Sequence, residues 1–281
     1  EPLSSTPILV LMTGGTAVTG TAVSVTNNNY MYMYTYTLVT GDTEGEATYR
    51  FDASGVTDLA GNEAAGDVTG SGATFDKTPP TVVSLTSTGD TNGRTKNDDT
   101  VRITATFSEA MSNPTVSVSN TTINGAAMSG SDNVWTYVWD VPATANNDLL
   151  CEVTVSGTDL AGNPYSGTTS MTIVVDNVAP TATAIVVKRG DNSKVVVTFD
   201  EDMDVTKTGF ELTSGDNLTY SPTVAFPTSK IAELSLTPIL ENYIYGNDGY
   251  IKNDAVVTLI MSNATDVAGN GVVRSEEHTS E

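Results

Sequence analysis

Thr158-Asp159-Leu160-Ala161-Gly162-Asn163 stands in the chain between two near-copies of itself, Thr57-Asp58-Leu59-Ala60-Gly61-Asn62 and Thr265-Asp266-Val267-Ala268-Gly269-Asn270. Their first residues lie 101 and 107 positions apart. A second pair repeats between them: Phe75-Asp76-Lys77-Thr78-Pro79-Pro80-Thr81 and Val175-Asp176-Asn177-Val178-Ala179-Pro180-Thr181, with the aspartates 100 residues apart. A third pair is Phe107-Ser108-Glu109-Ala110-Met111 and Phe199-Asp200-Glu201-Asp202-Met203. Three coincidences at one period define a tandem array.

Between the markers, apolar residues alternate with Thr, Ser and charged residues, the period of a half-buried strand. Val101-Arg102-Ile103-Thr104-Ala105-Thr106-Phe107 is the clearest case, and Cys151 to Val155, Met171 to Val175 and Lys194 to Phe199 follow it. No stretch has helical periodicity. Short strands broken by Gly, Asn, Asp and Pro indicate an all-β chain of tandem Greek-key β-sandwiches, about seven strands each. In the second repeat the strands are expected near 81–88, 101–108, 115–120, 123–128, 133–140, 149–157 and 168–176. The Thr-Asp-Leu-Ala-Gly-Asn turn then joins the last two, since Asp closes an Asx-turn and Gly accepts a positive φ. The Asp-x-x-x-Pro stretch after the final strand is a linker that Pro stiffens. The array divides into residues 1–79, 80–178 and 179–273. The first repeat aligns with the second from its third strand onward, pairing Tyr32, Tyr34 and Tyr36 with Trp135, Tyr137 and Trp139, so its first two strands are missing. Residues 274–281 resemble the translation of a sequencing-adapter oligonucleotide and are set aside as non-native.

Composition excludes several functions. With 34 acidic against 12 basic side chains, the net charge of −22 opposes nucleic acid and anionic membranes. One Cys and one His leave no parts for a zinc site, a disulfide framework or a His-based catalytic triad. No apolar run is long enough for a membrane-spanning helix. Without an initial Met or a signal-like segment, the sequence is expected to be an internal piece of something longer.

These motifs, in their shared order and spacing, resemble tandem bacterial immunoglobulin-like domains of large surface adhesins and exoproteins. The third repeat is similar to the immunoglobulin-like domains of S-layer proteins in Val196 to Asp204, Gly209-Phe210-Glu211-Leu212-Thr213 and Thr265 to Asn270; an insertion-like stretch from Leu240 to Asn253 departs from that pattern. The resemblance implies an extracellular, secreted or cell-surface bacterial protein in which the repeats contact their neighbours in the same chain. They are expected to be monomeric, non-catalytic spacers of an adhesin. The alternative is a glycan- or host-protein-binding module accessory to an exoenzyme or S-layer.

An immunoglobulin-type strand order also places the acids. Asp76, Glu109, Asp159 and Asn163 gather where the second repeat is entered. Asp176, Glu201, Asp202, Asp266 and Asn270 gather where the third is entered, and Asp98 and Asp99 come from the second repeat's outgoing end. Carboxylates brought that close repel one another, and Ca²⁺, with six to eight oxygen ligands, removes the repulsion. The competing reading is solvated turns that keep a surface protein soluble. No contiguous EF-hand loop exists. The aromatic stripes Tyr30 to Tyr36 and Trp135 to Trp139 are expected in the core rather than stacked on sugars. Cys151 is expected as a small buried apolar residue. A glycosidase working through carboxylates alone is disfavoured, because the acids recur repeat by repeat instead of converging on one cleft.

Overall fold

The structure, a computed structural model, describes residues 3–4, 8–18, 23–27, 32–143, 148–188, 194–215, 218–236 and 257–273. Tyr30, the 240–253 stretch and the terminal residues 274–281 lie outside them. The described residues form strands and no helix. The first repeat contributes β1 (Ile8–Thr13), β2 (Thr16–Ala17), β3 (Val23–Asn27), β4 (Tyr32–Thr35), β5 (Gly45–Asp52) and β6 (Val68–Phe75). The second contributes β7 (Val82–Thr88), β8 (Arg94–Thr95), β9 (Thr100–Phe107), β10 (Met111–Val118), β11 (Ala126–Ala127), β12 (Ser129–Ser131), β13 (Val134–Asp140), β14 (Leu149–Asp159) and β15 (Ser170–Val175). The third contributes β16 (Ala182–Lys188), β17 (Lys194–Phe199), β18 (Gly209–Ser214), β19 (Thr219–Tyr220), β20 (Thr223–Thr228), β21 (Ile231–Ser235) and β22 (Val257–Ser262).

Sheet orders recur from repeat to repeat. The second repeat has β11-β10-β14-β15-β8 and β12-β13-β9-β7. The first of these orders returns as β2-β1-β5-β6 and as β19-β18-β22; the second returns as β20-β21-β17-β16. Among its described residues, the first repeat has the pair β3-β4 in that second place.

Alternation explains why these segments are strands. Along β9, Val101, Ile103, Ala105 and Phe107 have no exposed surface, while Thr100 and Arg102 face solvent. Each large side chain so buried contributes about 1.5–3 kcal/mol. On β14, Cys151, Val153 and Val155 are buried in the same rhythm. In the third repeat Val195, Val197, Phe199, Phe210, Leu212 and Leu234 form one apolar cluster.

Two details differ from the sequence expectation. Of the single strand expected at 123–128, Ala126–Ala127 form β11, which pairs with β10, while β12 begins just beyond its end at Ser129 and pairs with β13. Met128 sits buried between the pieces, so the chain crosses from one sheet to the other at an apolar anchor. The two-residue strand β8 runs parallel to β15, Arg94 opposite Val174 and Thr95 opposite Val175. It was too short to show a period.

The chain divides into two compact units. The first comprises residues 1–81, 107–114 and 156–167; the second comprises residues 82–106, 115–155 and 168–281.

Candidate metal centres

Each Thr-Asp-x-Ala-Gly-Asn turn is built by its aspartate. Asp159 Oδ1 accepts the backbone N–H groups of Gly162 (2.7 Å) and Asn163 (2.8 Å), and Oδ2 accepts the Asn163 side-chain amide at 2.8 Å. Asp266 does the same with Gly269 (2.6 Å), Asn270 (2.8 Å) and the Asn270 amide (2.8 Å). Asp58 and Asn62 repeat the pattern, with the Asn62 amide 2.7 Å from Asp58 Oδ2. Gly162 and Gly269 take φ of 98° and 94°, where a Cβ would be strained, which is why glycine holds that place.

The asparagine also fastens the linker. Asn163 Nδ2 donates to the Asp76 carbonyl at 3.2 Å, and Asn270 Nδ2 donates to the Asp176 carbonyl at 2.8 Å. A few residues on, the linker is held again. Thr81 N–H donates to Ser108 Oγ (2.9 Å) and Thr181 N–H to Asp200 Oδ1 (2.8 Å), with Ser108 and Asp200 N–H groups returning bonds to the threonine carbonyls. Clamped on both sides, the linker aspartate is presented to the turn aspartate.

Two three-carboxylate groups result. Asp76, Glu109 and Asp159, all in the first unit, place one carboxylate oxygen each within 4.8 Å of the others; Asp176, Glu201 and Asp266, all in the second unit, do likewise. Asp159, Asp176 and Asp266 are buried, whereas Glu109 and Glu201 are half-buried. At 4.8 Å and an effective dielectric constant near 20, each like-charged pair costs about 3 kcal/mol before salt screening.

Protonation reflects that crowding. Burial, followed by repulsion from Asp176, Asp266, Asp200 and Asp148, pushes the Glu201 carboxyl up to about 7. Glu109 is raised by burial and by Asp76, Asp159 and Glu44. Burial and the carboxylates of Asp266 and Asp148 raise Asp176, with Arg94 opposing them from a 2.9 Å ion pair. Burial would raise Asp159 too, but the hydrogen bonds from Asn163, Gly162 and Ala161 outweigh it and hold the group low.

Each group therefore presents carboxylate oxygens alone, on converging segments, with more negative charge than its surroundings neutralise. Such a donor set can hold a metal ion, and its all-oxygen chemistry suits a hard cation rather than zinc or copper. Asn163 and Asn270 spend their amide N–H groups on the latch.

Two of the acids expected at these sites, Asp99 and Asp202, have other partners. Asp99 accepts from Lys96 N–H (3.0 Å) and Lys96 Nζ (2.7 Å), closing its own turn. Asp98 occupies that turn at φ 66°. Asp202 accepts the Ser229 hydroxyl. Sequence reasoning missed Glu44 and Asp148, which add negative charge to the first and second groups respectively. Each immediately precedes a corresponding strand, β5 or β14, and that shared position was the available signal. It also missed Arg94, the built-in counter-charge of the second group.

On the aromatic stripe of β13, Trp139 is buried while Trp135 and Tyr137 are half-buried. Tyr32, Tyr34 and Tyr36 are half-buried. Tyr137 and Trp139, with Asn97, Asn120 and Asn177, line an open hollow of about 490 Å³ in the second unit. Cys151 is buried, and burial raises its thiol.

No family model matches the chain, and no curated protein matches it. Among solved structures it is similar to dimeric latent PorU from Porphyromonas gingivalis, at 14% identity and a TM-score of 0.25, over 92% of this chain and 29% of that one. The chain thus spans less than a third of that protein's length, and a likeness at that TM-score carries no argument about fold or function.

Proposed function

We propose that residues 1–273 are tandem immunoglobulin-like repeats of a secreted or cell-surface bacterial protein. They act as non-catalytic spacers of an adhesin-type molecule, with Ca²⁺ fixing each repeat to the linker that enters it. The observation that carries this reading is the recurrence of one carboxylate trio in two successive repeats: linker Asp, loop Glu and turn Asp. An enzyme needs its acids once, in a cleft; a scaffold needs them at every joint. The repeated sheet orders support the shared fold, and clamping of the linker on either side supports a joint whose stiffness the ion sets. Asp76, Glu109 and Asp159 would hold one ion, Asp176, Glu201 and Asp266 another. The ion would supply charge neutralisation and no chemistry beyond it.

Thermal unfolding of the full chain in EDTA, in about 2 mM Ca²⁺ and in equal Mg²⁺ tests the reading. At a free concentration about 100 times Kd, binding adds about 2.7 kcal/mol, enough for a shift of several degrees. Calcium should raise the transitions, and Glu109→Gln with Glu201→Gln should abolish the gain. Identical melting in EDTA and Ca²⁺ would return these acids to the status of solvated turns.

A further inference from the structure

The three Thr-Asp-x-Ala-Gly-Asn turns share a register that extends one residue past the asparagine. Thr57 bridges Glu63, Thr158 bridges Pro164 and Thr265 bridges Gly271. The hydrogen bonds lie on either side of each bridge. Asp266 N–H donates to the Asn270 carbonyl (3.0 Å) and Val272 N–H to the Ala264 carbonyl (2.9 Å), as Asp159 donates to Asn163 (3.0 Å) and Tyr165 to Gly157 (2.9 Å). The N–H of the bridging residue takes no part, which is why proline, lacking one, fits at position 164. Three latches of one geometry therefore differ in the residue that follows the asparagine: Glu63, Pro164 or Gly271.

That residue decides whether the asparagine amide endures. The amide is lost when the backbone nitrogen of the next residue attacks Cγ. Glycine offers an unhindered nitrogen, glutamate a hindered one, and proline one with no hydrogen to lose. The chain has three Asn-Gly pairs, at 92–93, 124–125 and 270–271. Gly93 N–H is spent on Asp90 Oδ2 (2.8 Å) and Gly125 N–H on Ser117 Oγ (2.9 Å). Gly271 N–H has no hydrogen-bond partner among the described residues. Gly271 is also exposed, with nothing within 4 Å of where a Cβ would stand.

We propose that Asn270–Gly271 is a self-modification site that opens the latch on the linker entering the third repeat. The Gly271 nitrogen gives its proton to hydroxide and bonds to Asn270 Cγ. The Cγ–Nδ2 bond breaks, Nδ2 takes up a proton and leaves as ammonia, and a cyclic imide remains. One water then opens the ring, at Cγ to leave an aspartate or at the other carbonyl to leave an isoaspartyl link. Asn270 Nδ2 donates to the Asp176 carbonyl (2.8 Å) and to Asp266 Oδ2 (2.8 Å), so a carboxylate in its place sets acceptor against acceptor at both contacts. The isoaspartyl link in addition displaces the Asn270 N–H, which donates to Asp266 Oδ1 at 2.8 Å. The counterpart latch at Asn163 is closed to this route by Pro164. The step needs neither an enzyme nor an ion at the carboxylates.

The test incubates the folded full chain at about pH 8 and reads each asparagine by peptide mass spectrometry, with the chain in denaturant as the reference for unrestrained chemistry. In the folded chain Asn270 should convert at least about tenfold faster than Asn92 or Asn124, and Asn163 should not convert. Gly271→Pro, which copies Pro164 at the same bridge, should abolish conversion at Asn270 and keep the parent's unfolding midpoint. Asn270→Asp should lower that midpoint without incubation, and the aged parent should gain a less stable population in proportion to its converted fraction. The proposal is overturned if Asn270 stays intact in the folded parent while it converts in denaturant. It is equally overturned if Asn92 or Asn124 converts as fast in the folded chain, or if converted and unconverted chains unfold alike.

Discussion

Replacing Glu201 with Gln should stabilise the metal-free protein and weaken the calcium-bound one. The Glu201 carboxyl is driven from an ordinary 4.5 to about 7, first by burial and then by Asp176, Asp266, Asp200 and Asp148. A raised carboxyl means that the folded chain holds the proton more tightly than the unfolded chain does. Its contribution is therefore full below about pH 4.5 and is lost as pH rises through 7. The shift corresponds to roughly 3 kcal/mol, which solvent screening of a half-buried group reduces to about 1–2 kcal/mol. The amide keeps the shape and cannot ionise, so at pH 8 in EDTA the variant should melt about 2–8 °C above the parent. At pH 5, where Glu201 is protonated in the folded parent, most of that difference should vanish. In about 2 mM Ca²⁺ the order should invert, because the parent gains binding energy through a ligand that the variant lacks. Scanning calorimetry, which separates the transitions of a chain with two compact units, is the assay. A variant less stable than the parent in EDTA at pH 8 would refute the claim that the empty trio is under charge strain.

Other outcomes follow from the same geometry. Calcium affinity at the Asp176–Glu201–Asp266 group should fall about tenfold between pH 8 and pH 6, because the ion must displace the Glu201 proton; a flat pH profile by titration calorimetry would contradict this. Asn163→Ala removes the bonds to Asp159 Oδ2 (2.8 Å) and to the Asp76 carbonyl (3.2 Å) and should cost about 1–3 kcal/mol in denaturant unfolding. A cost under a few tenths would show the latch to be idle. Gly89, at φ 91°, would bring an added Cβ to 2.2 Å from the Thr100 carbonyl oxygen, so Gly89→Ala should lower stability by roughly 2–3 kcal/mol. Cys151 should resist thiol reagents until the chain is denatured, labelling at least about 100-fold more slowly in the native protein.

Much of the fold was legible because repetition makes local chemistry conspicuous. The turn aspartates Asp159 and Asp266 could be read as one device: an Asx acceptor, a glycine at positive φ and a closing asparagine recur at fixed offsets. The strand alternation of β9 and β14 identified which residues face inward before any pairing was known. Segments too short to display a period escaped. The two-residue strand β8 is defined by what it pairs with, and the crossing at Met128 depends on a neighbouring sheet. The same reason governs the sites. Asp76, Glu109 and Asp159 could be inferred because each sits in a repeated motif. Glu44 and Asp148 lie in unlike local sequences and acquire their roles only when the loops before β5 and β14 approach the linkers. Asp98 and Asp99 stand out by their acidity in the sequence, yet Lys96 lies three residues before Asp99 and pairs with it within its own turn.

The central claim is that each repeated carboxylate trio holds one hard cation. The most direct measurement is the calcium stoichiometry of the full chain by equilibrium titration, compared among the parent, Glu109→Gln, Glu201→Gln and the double variant. The account predicts that each single substitution removes one bound ion and the double variant removes both, while Mg²⁺ at equal concentration displaces little of the calcium. Stoichiometry unchanged by either substitution, or no saturable binding in the parent, would contradict it.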